Sequence, residues 1–120
     1  GNKFYVSNRL NSIKVNAAAG DTIYLPGGIV NMYGNWIIDK ELHIYGAGFY
    51  PDSSTATGLT YIPGGNFYFI KGSNNSSVEG VHLLYHIYIG QYGVAGNDSV
   101  SNLLIKRCNF NSISMGYYSN

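Results

Sequence analysis

The chain has 120 residues, enough for one domain with a core of its own. Hydrophobic residues make up 45% and charged residues 11%, against about 25% charged in an average domain, so the polar surface must be built from Asn, Ser, Thr, Gly and Tyr. A net charge of +1 with no basic stripe removes an electrostatic basis for nucleic-acid binding, and no apolar run of about eighteen residues offers a membrane-spanning helix.

Phe4-Tyr5-Val6 predicts a short strand. Asn8 then predicts the cap of a short helix running to about Ala19, with Leu10, Ile13 and Ala17 on one face and Gly20 ending it. From Asp21 the apolar period changes to alternation. Ile23 and Leu25 flank Tyr24, Thr60 and Ile62 flank Tyr61, Ile87 and Ile89 flank Tyr88, and Ile113 and Met115 flank Ser114. These four segments follow one another at intervals of 37, 27 and 26 residues. Alternate side chains of a strand face opposite ways, so the apolar pairs are predicted inward and Tyr24, Tyr61 and Tyr88 outward on one shared face.

The longer repeats agree with a stack of similar units. Tyr24-Leu25-Pro26-Gly27-Gly28 returns as Tyr61-Ile62-Pro63-Gly64-Gly65. Ile44-Tyr45-Gly46-Ala47-Gly48-Phe49 returns as Val78-Glu79-Gly80-Val81-His82-Leu83 and as Ile105-Lys106-Arg107-Cys108-Asn109-Phe110. That register predicts inward columns Ile44/Val78/Ile105, Ala47/Val81/Cys108 and Phe49/Leu83/Phe110, with Gly46 and Gly80 at a bend that needs positive φ and Arg107 breaking the rule. A further strand per unit is predicted at Trp36-Ile37-Ile38 and Phe67-Tyr68-Phe69-Ile70, with a poor third equivalent from Tyr92 to Ala95. The surplus of the first interval falls in Gly46 to Gly58, where Pro51-Asp52-Ser53-Ser54 signals a turn. Self-similarity at this spacing is the mark of a solenoid.

Ala17-Ala18-Ala19-Gly20-Asp21-Thr22-Ile23-Tyr24-Leu25-Pro26-Gly27-Gly28 resembles the opening of right-handed parallel β-helix proteins of the pectin-lyase-like superfamily, where a capping helix gives way to the first coil. The Ile44–Phe49 and Ile105–Phe110 segments resemble that family's coil strands. The resemblance implies an all-β fold, a right-handed parallel β-helix of about 3.5 coils, with residues 1–20 as an N-terminal cap and 21–120 as coils that continue beyond residue 120 in the parent protein. Stacking strands about 4.8 Å apart would pair every strand and build a continuous apolar column. The superfamily includes polysaccharide lyases, glycosidases, adhesins and phage tailspikes, so the fold alone assigns no activity.

Lyases of this superfamily generally need clustered carboxylates for calcium and a basic residue. The six acids, Asp21, Asp39, Glu41, Asp52, Glu79 and Asp98, fall in no common column. Asp21 reads as a structural turn residue. Asp39 with Lys71 reads as a surface pair, and Asp39 with Glu41 as a solvated bend. The three histidines, His43, His82 and His86, occupy different register positions, and a His, Ser and Asp arrangement is present in composition only. Zinc-type spacing and a Gly-Lys-Ser/Thr phosphate loop are both missing from the sequence. Cys108, the one cysteine, reads as a small buried apolar residue. No catalytic residue, metal or cofactor is predicted.

The expected function is therefore that of a secreted, non-catalytic module, structural or binding extracellular polysaccharide or glycan on a tyrosine-bearing face. Tyr24, Tyr61 and Tyr88, with Trp36 and Tyr68 as a shorter second pair, are the candidate ligand-binding residues, since flat rings with polar edges suit sugars. Stacked like residues also stabilise neighbouring strands by about 0.2–1 kcal/mol each, so a purely structural ladder is the competing expectation. Asn74-Asn75-Ser76-Ser77 and Asn97-Asp98-Ser99 fit glycosylation sequons in a secretory host. Gly1 in place of an initiating Met points to a processed or engineered start, and the composition resembles secreted or cell-surface proteins. Two alternatives stand beside this reading. One is the N-terminal scaffold of a polysaccharide lyase or glycoside hydrolase whose catalytic coils lie beyond Asn120. The other is an adhesin-like protein that self-associates through an open last coil at Ile113, Met115, Tyr117 and Tyr118.

Overall fold

The computed structural model describes residues 4–6, 10–47, 60–91, 96 and 98–115. After β1 (Phe4–Val6) and α1 (Leu10–Asn16) come β2 (Asp21–Tyr24), β3 (Gly28–Ile29), β4 (Trp36–Ile38) and β5 (Leu42–Tyr45). Then follow β6 (Thr60–Ile62), β7 (Phe67–Phe69), β8 (Ser77–Glu79), β9 (Val81–Leu83), β10 (His86–Ile89), β11 (Leu104–Lys106) and β12 (Ser112–Met115). The strands form three sheets: β1-β2-β5-β8-β11, β3-β6-β9 and β12-β10-β7-β4. Every strand pairing is parallel. The chain visits the first, second and third sheets in rotation, so neighbours within a sheet come from successive passages. One apolar cluster is shared by all three sheets and the helix. It contains Ile23, Ile44 and Val78 from the first sheet, Ile62, Val81 and Leu83 from the second, and Trp36, Phe67 and Ile87 from the third.

The helix buries Leu10 and Ile13, and Ala17, buried as expected, lies just past it. It ends at Asn16, short of Ala19. The cause is Asp21. Its fully buried carboxylate accepts the Ala18 amide at 2.8 Å, while the Asp21 amide donates to the Ala18 carbonyl at 3.1 Å. This local turn competes with a further helical turn. Gly20, at φ 87°, completes the break as expected, and Asn8 lies outside the described residues. Lys14 then ties the helix to the loop before β4, donating to the carbonyls of Tyr33 at 3.2 Å and Asn35 at 2.9 Å.

Alternation holds around Tyr24, Tyr61 and Tyr88, but Trp36 faces in, and only part of the expected stacking is present. The column Ile44/Val78/Ile105 is present and extends to Ile23. The four segments around residues 23, 60, 87 and 113 do not form one column. β2 belongs to the first sheet, β6 to the second, and β10 and β12 to the third. Val81 pairs with Thr60 rather than Ala47, because thirteen more residues separate Gly46 from Thr60's position than separate Gly80 from Val81's. Thr60 secures the junction: its buried hydroxyl accepts the Ala47 amide at 2.7 Å and donates to the Pro26 carbonyl at 2.8 Å. Leu83 pairs with Ile62, and Phe49 lies outside the described residues. The third partner of β4 and β7 is β10, and residues 92–95 also lie outside the described residues.

The predicted bend before β9 is real, but its chemistry differs between passages. Gly80 has φ 72°, and Arg107, at the equivalent place, adopts φ 52° despite its side chain. Gly46 is required for its size instead. A Cβ there would strike the Gly80 carbonyl oxygen and the Thr60 side chain. At another corner Asn75 and Asn102 hold φ 67° and 58°, and the Asn102 amide donates to Asn75 Oδ1 at 3.0 Å. Asn tolerates this left-handed backbone better than other non-glycine residues, so the same residue type can repeat in successive passages.

Candidate functional site

The outer face of the third sheet begins at a corner dictated by glycine. Gly34 and Gly65 hold φ 71° and 84°, and a Cβ on Gly65 would collide with the Gly34 carbonyl. The corners therefore nest closely and place Asn35 beside Asn66. Asn35 Oδ1 accepts the Asn66 backbone amide at 2.8 Å and its side-chain amide at 3.2 Å. Asn66 Oδ1 in turn accepts the His86 amide at 2.9 Å. His86 Nδ1 meets the Ser112 hydroxyl at 2.7 Å. Asn35, Asn66, His86 and Ser112 thus form one polar row across the four strands.

A second row lies beside it. Alternation turns Trp36, Phe67 and Ile87 into the core and leaves Ile37, Tyr68 and Tyr88 outward, in register with Ser114. The Tyr68 and Tyr88 rings stack, with centroids 4.9 Å apart and planes at 19°. His86 leans on Tyr88 at 5.7 Å and 51°. The result is an aromatic row next to a hydrogen-bonding row. Among the described residues no cavity is present, so this is a surface over which an extended molecule can lie.

Of the predicted ligand-binding residues, Tyr68 and Tyr88 come together here. The others do not join them. Trp36 is 3% exposed and packs edge-on against Phe67 at 5.5 Å, because its strand position is an inward one. Tyr24 stacks on Tyr45 in the first sheet at 5.4 Å and 23°. Tyr61 leans on His82 in the second at 4.9 Å and 56°. The single ladder expected from the alternating pattern is three aromatic pairs on three faces. Asn35, Asn66, His86 and Ser112 were not singled out from the sequence as a set. The signal that would have found the first two is the recurrence of Gly34-Asn35-Trp36-Ile37-Ile38 as Gly65-Asn66-Phe67-Tyr68-Phe69, which matches the pairing of β4 with β7.

The first sheet carries the other polar constellation. Glu41 Oε2 lies 2.8 Å from His43 Nε2, and His43 Nδ1 lies 2.9 Å from Ser77 Oγ. An ionised carboxylate only accepts, so a neutral His43 carries its proton on Nε2 and accepts the Ser77 hydroxyl at Nδ1. Acid, imidazole and hydroxyl are then in the order an activated serine requires. Catalysis also requires access and a donor pair for the developing oxyanion. Ser77 is only 5% exposed, between the larger His43 and Leu104 in register with it. Nearby amides are committed: Leu42 N–H to Ser76 Oγ at 3.0 Å and Leu104 N–H to the Ser76 carbonyl at 3.0 Å. The trio works as a clamp between adjacent strands. Glu41 is engaged with His43 rather than paired with Asp39 on a solvated bend, and Asp39 makes no ion pair with Lys71 among the described residues. Asp21 is structural, as expected.

Cys108 packs against the core and donates to the carbonyls of Val78 and Lys106, both at 3.3 Å. Burial pushes its thiol above the ordinary range, which suppresses the thiolate a nucleophile needs. Among the described residues no group of three or more His, Cys, Asp or Glu side chains is arranged for a metal ion, and no helix is long and apolar enough to cross a membrane. No protein family, curated protein or solved structure matches this chain.

Proposed function

We propose that this chain is a right-handed parallel β-helix module of the pectin-lyase-like kind, secreted or displayed at the cell surface, that binds polysaccharide or another extracellular glycan. The three-sheet rotation of parallel strands around one core supports the fold. The observation that carries the function is the stacked Tyr68–Tyr88 pair bordered by the Asn35–Asn66–His86–Ser112 row. Because the two rings face each other across strands, they offer edges and hydroxyls to a ligand. Sugar C–H faces pack on aromatic surface, while hydroxyls find amide, imidazole and hydroxyl partners.

Tyr68→Ala combined with Tyr88→Ala is expected to lower glycan affinity at least tenfold, or about 1.4 kcal/mol, in affinity electrophoresis or calorimetry. Tyr24→Ala with Tyr45→Ala, on the first sheet, is the matched control for loss of a surface aromatic pair. Equal behaviour of the two double variants, both folded by circular dichroism, would refute the site.

A second reading, self-association, draws on Ile113. It occupies the inward column below Ile87, yet half its surface, 50%, is exposed. Met115 is in register with Ile89, while Tyr117 and Tyr118 lie outside the described residues. An apolar inward column left open at a sheet edge favours pairing with another copy. On this reading sedimentation of the 120-residue chain shows concentration-dependent association, which Ile113→Asp abolishes. A monomer throughout the series would leave glycan binding alone.

A further inference from the structure

The geometry points to an electrically neutral glycan as the ligand of the third sheet's outer face, a statement that rests on the glycan reading above and narrows it. The outward positions of β4, β7, β10 and β12 carry Ile37, Tyr68, His86, Tyr88 and Ser112, with Ser114 in register with Tyr88, and none is Asp, Glu, Lys or Arg. The polar row that begins before these strands adds Asn35 and Asn66, which are also uncharged. The first sheet is different. Glu41, His43, Glu79 and Lys106 all lie on or beside its outer face.

A uronate or sulfate group laid on the outward strand positions of the third sheet would lose water without meeting a cation on them. Carboxylate and sulfate are recognised by forked guanidinium groups, ammonium groups or bound metal, because an unpaired desolvated charge is expensive. Among the described residues, the charges near this face stand at its margins: Lys14 Nζ donates to the carbonyls of Tyr33 and Asn35 just before β4, at 3.2 and 2.9 Å. Asp39 follows β4 directly, Lys71 lies two residues beyond β7, and Asp98 packs against Gly90 just after β10. Lys40, next after Asp39, donates to the Ala17 carbonyl, and Lys14 is likewise spent on backbone carbonyls, so these margins mix acids and bases and present no cluster of cations among the described residues for an anionic chain.

The uncharged groups instead match what a neutral sugar displays. Asn35 and Asn66 each retain amide capacity beyond the bonds that align them. His86 uses Nδ1 on Ser112, which leaves Nε2 for a hydroxyl. Tyr68 and Tyr88 supply ring surface and phenol groups. Successive strands lie about 4.8 Å apart, close to the length of one pyranose unit, so a chain crossing the strands meets a similar pair of rows at each step.

The test is a binding series of the full chain against a neutral polysaccharide panel (galactomannan, xyloglucan and hydroxyethyl cellulose) and an anionic panel (polygalacturonate and dextran sulfate). Each is measured at low and high NaCl, roughly 0.05 and 0.5 M, which shortens the Debye length from about 14 to about 4 Å. The expected result is binding to a neutral member that changes by less than about twofold with salt and is lost in the Tyr68→Ala, Tyr88→Ala double variant. Binding confined to the anionic panel and weakening with salt would overturn the neutral-ligand inference while leaving the glycan reading standing. Failure to bind either panel, with the chain folded, would overturn both.

Discussion

Phe67→Ala is expected to destabilise the protein by about 3–5 kcal/mol, the cost of a large aromatic-to-alanine cavity in a packed core. Phe67 is fully buried at the centre of the third sheet, in register between Trp36 and Ile87. Its ring meets Trp36 edge-on at 5.5 Å and Phe69 at 6.4 Å. Three aromatic side chains from adjacent positions cannot collapse into the space without shifting two strands, so relaxation recovers little. A domain of this size has a total stability of roughly 5–15 kcal/mol, and the melting temperature should fall by roughly 10–20 °C. Phe67→Leu, which keeps most of the volume, is expected to cost less than about half as much. Thermal and urea unfolding would check both, and a loss under about 1 kcal/mol for Phe67→Ala would mean the site is not central to packing.

Gly65→Ala is the second large effect, and its cause is backbone rather than side-chain volume. Gly65 holds φ 84°, where an L-residue costs about 1–2 kcal/mol. Its added Cβ would also strike the Gly34 carbonyl oxygen, part of a backbone that cannot swing away as a side chain can. The expected total is about 3 kcal/mol or more. Gly34→Ala provides the comparison. Gly34 has a similar φ of 71° but nothing within 4 Å of a Cβ, so only the conformational cost of about 1 kcal/mol applies. The difference between the two variants measures the close approach of successive corners. Equal losses would show that φ alone decides the position. Since these corners align Asn35 with Asn66, Gly65→Ala should also weaken glycan binding beyond its effect on the folded fraction.

The candidate site was half legible. Strand alternation puts Tyr88 outward and aromatic composition singles out Tyr68, and both are outward. Their partnership was not visible, because Tyr88 was grouped with Tyr24 and Tyr61. An apolar–tyrosine–apolar triplet is what any strand with one face on a core requires. It therefore recurs in all three sheets and carries no information about which sheet a strand joins. Trp36 was misread for a related reason: in a three-residue strand, alternation alone does not say which phase faces in. The Gly-Asn-aromatic corner, by contrast, is specific to one corner of the passage and would have set the register correctly.

Local chemistry determined much of this protein directly. The glycine and asparagine corners and the change from helical to alternating period at Asp21 follow from backbone φ limits and side-chain alternation. These constraints act within a few residues and so are written in the sequence. Sheet membership was decided only in three dimensions. A strand pairs with whichever strand the preceding connection delivers beside it, and connections vary from the single residue Gly80 between β8 and β9 to the long stretch between Tyr45 and Thr60. The variable connections cancel the regular spacing on which the alignment of repeats depended. Hydrogen bonds across successive passages, such as Asn35 to Asn66 and His43 to Ser77, then register the strands at separations that no local pattern encodes.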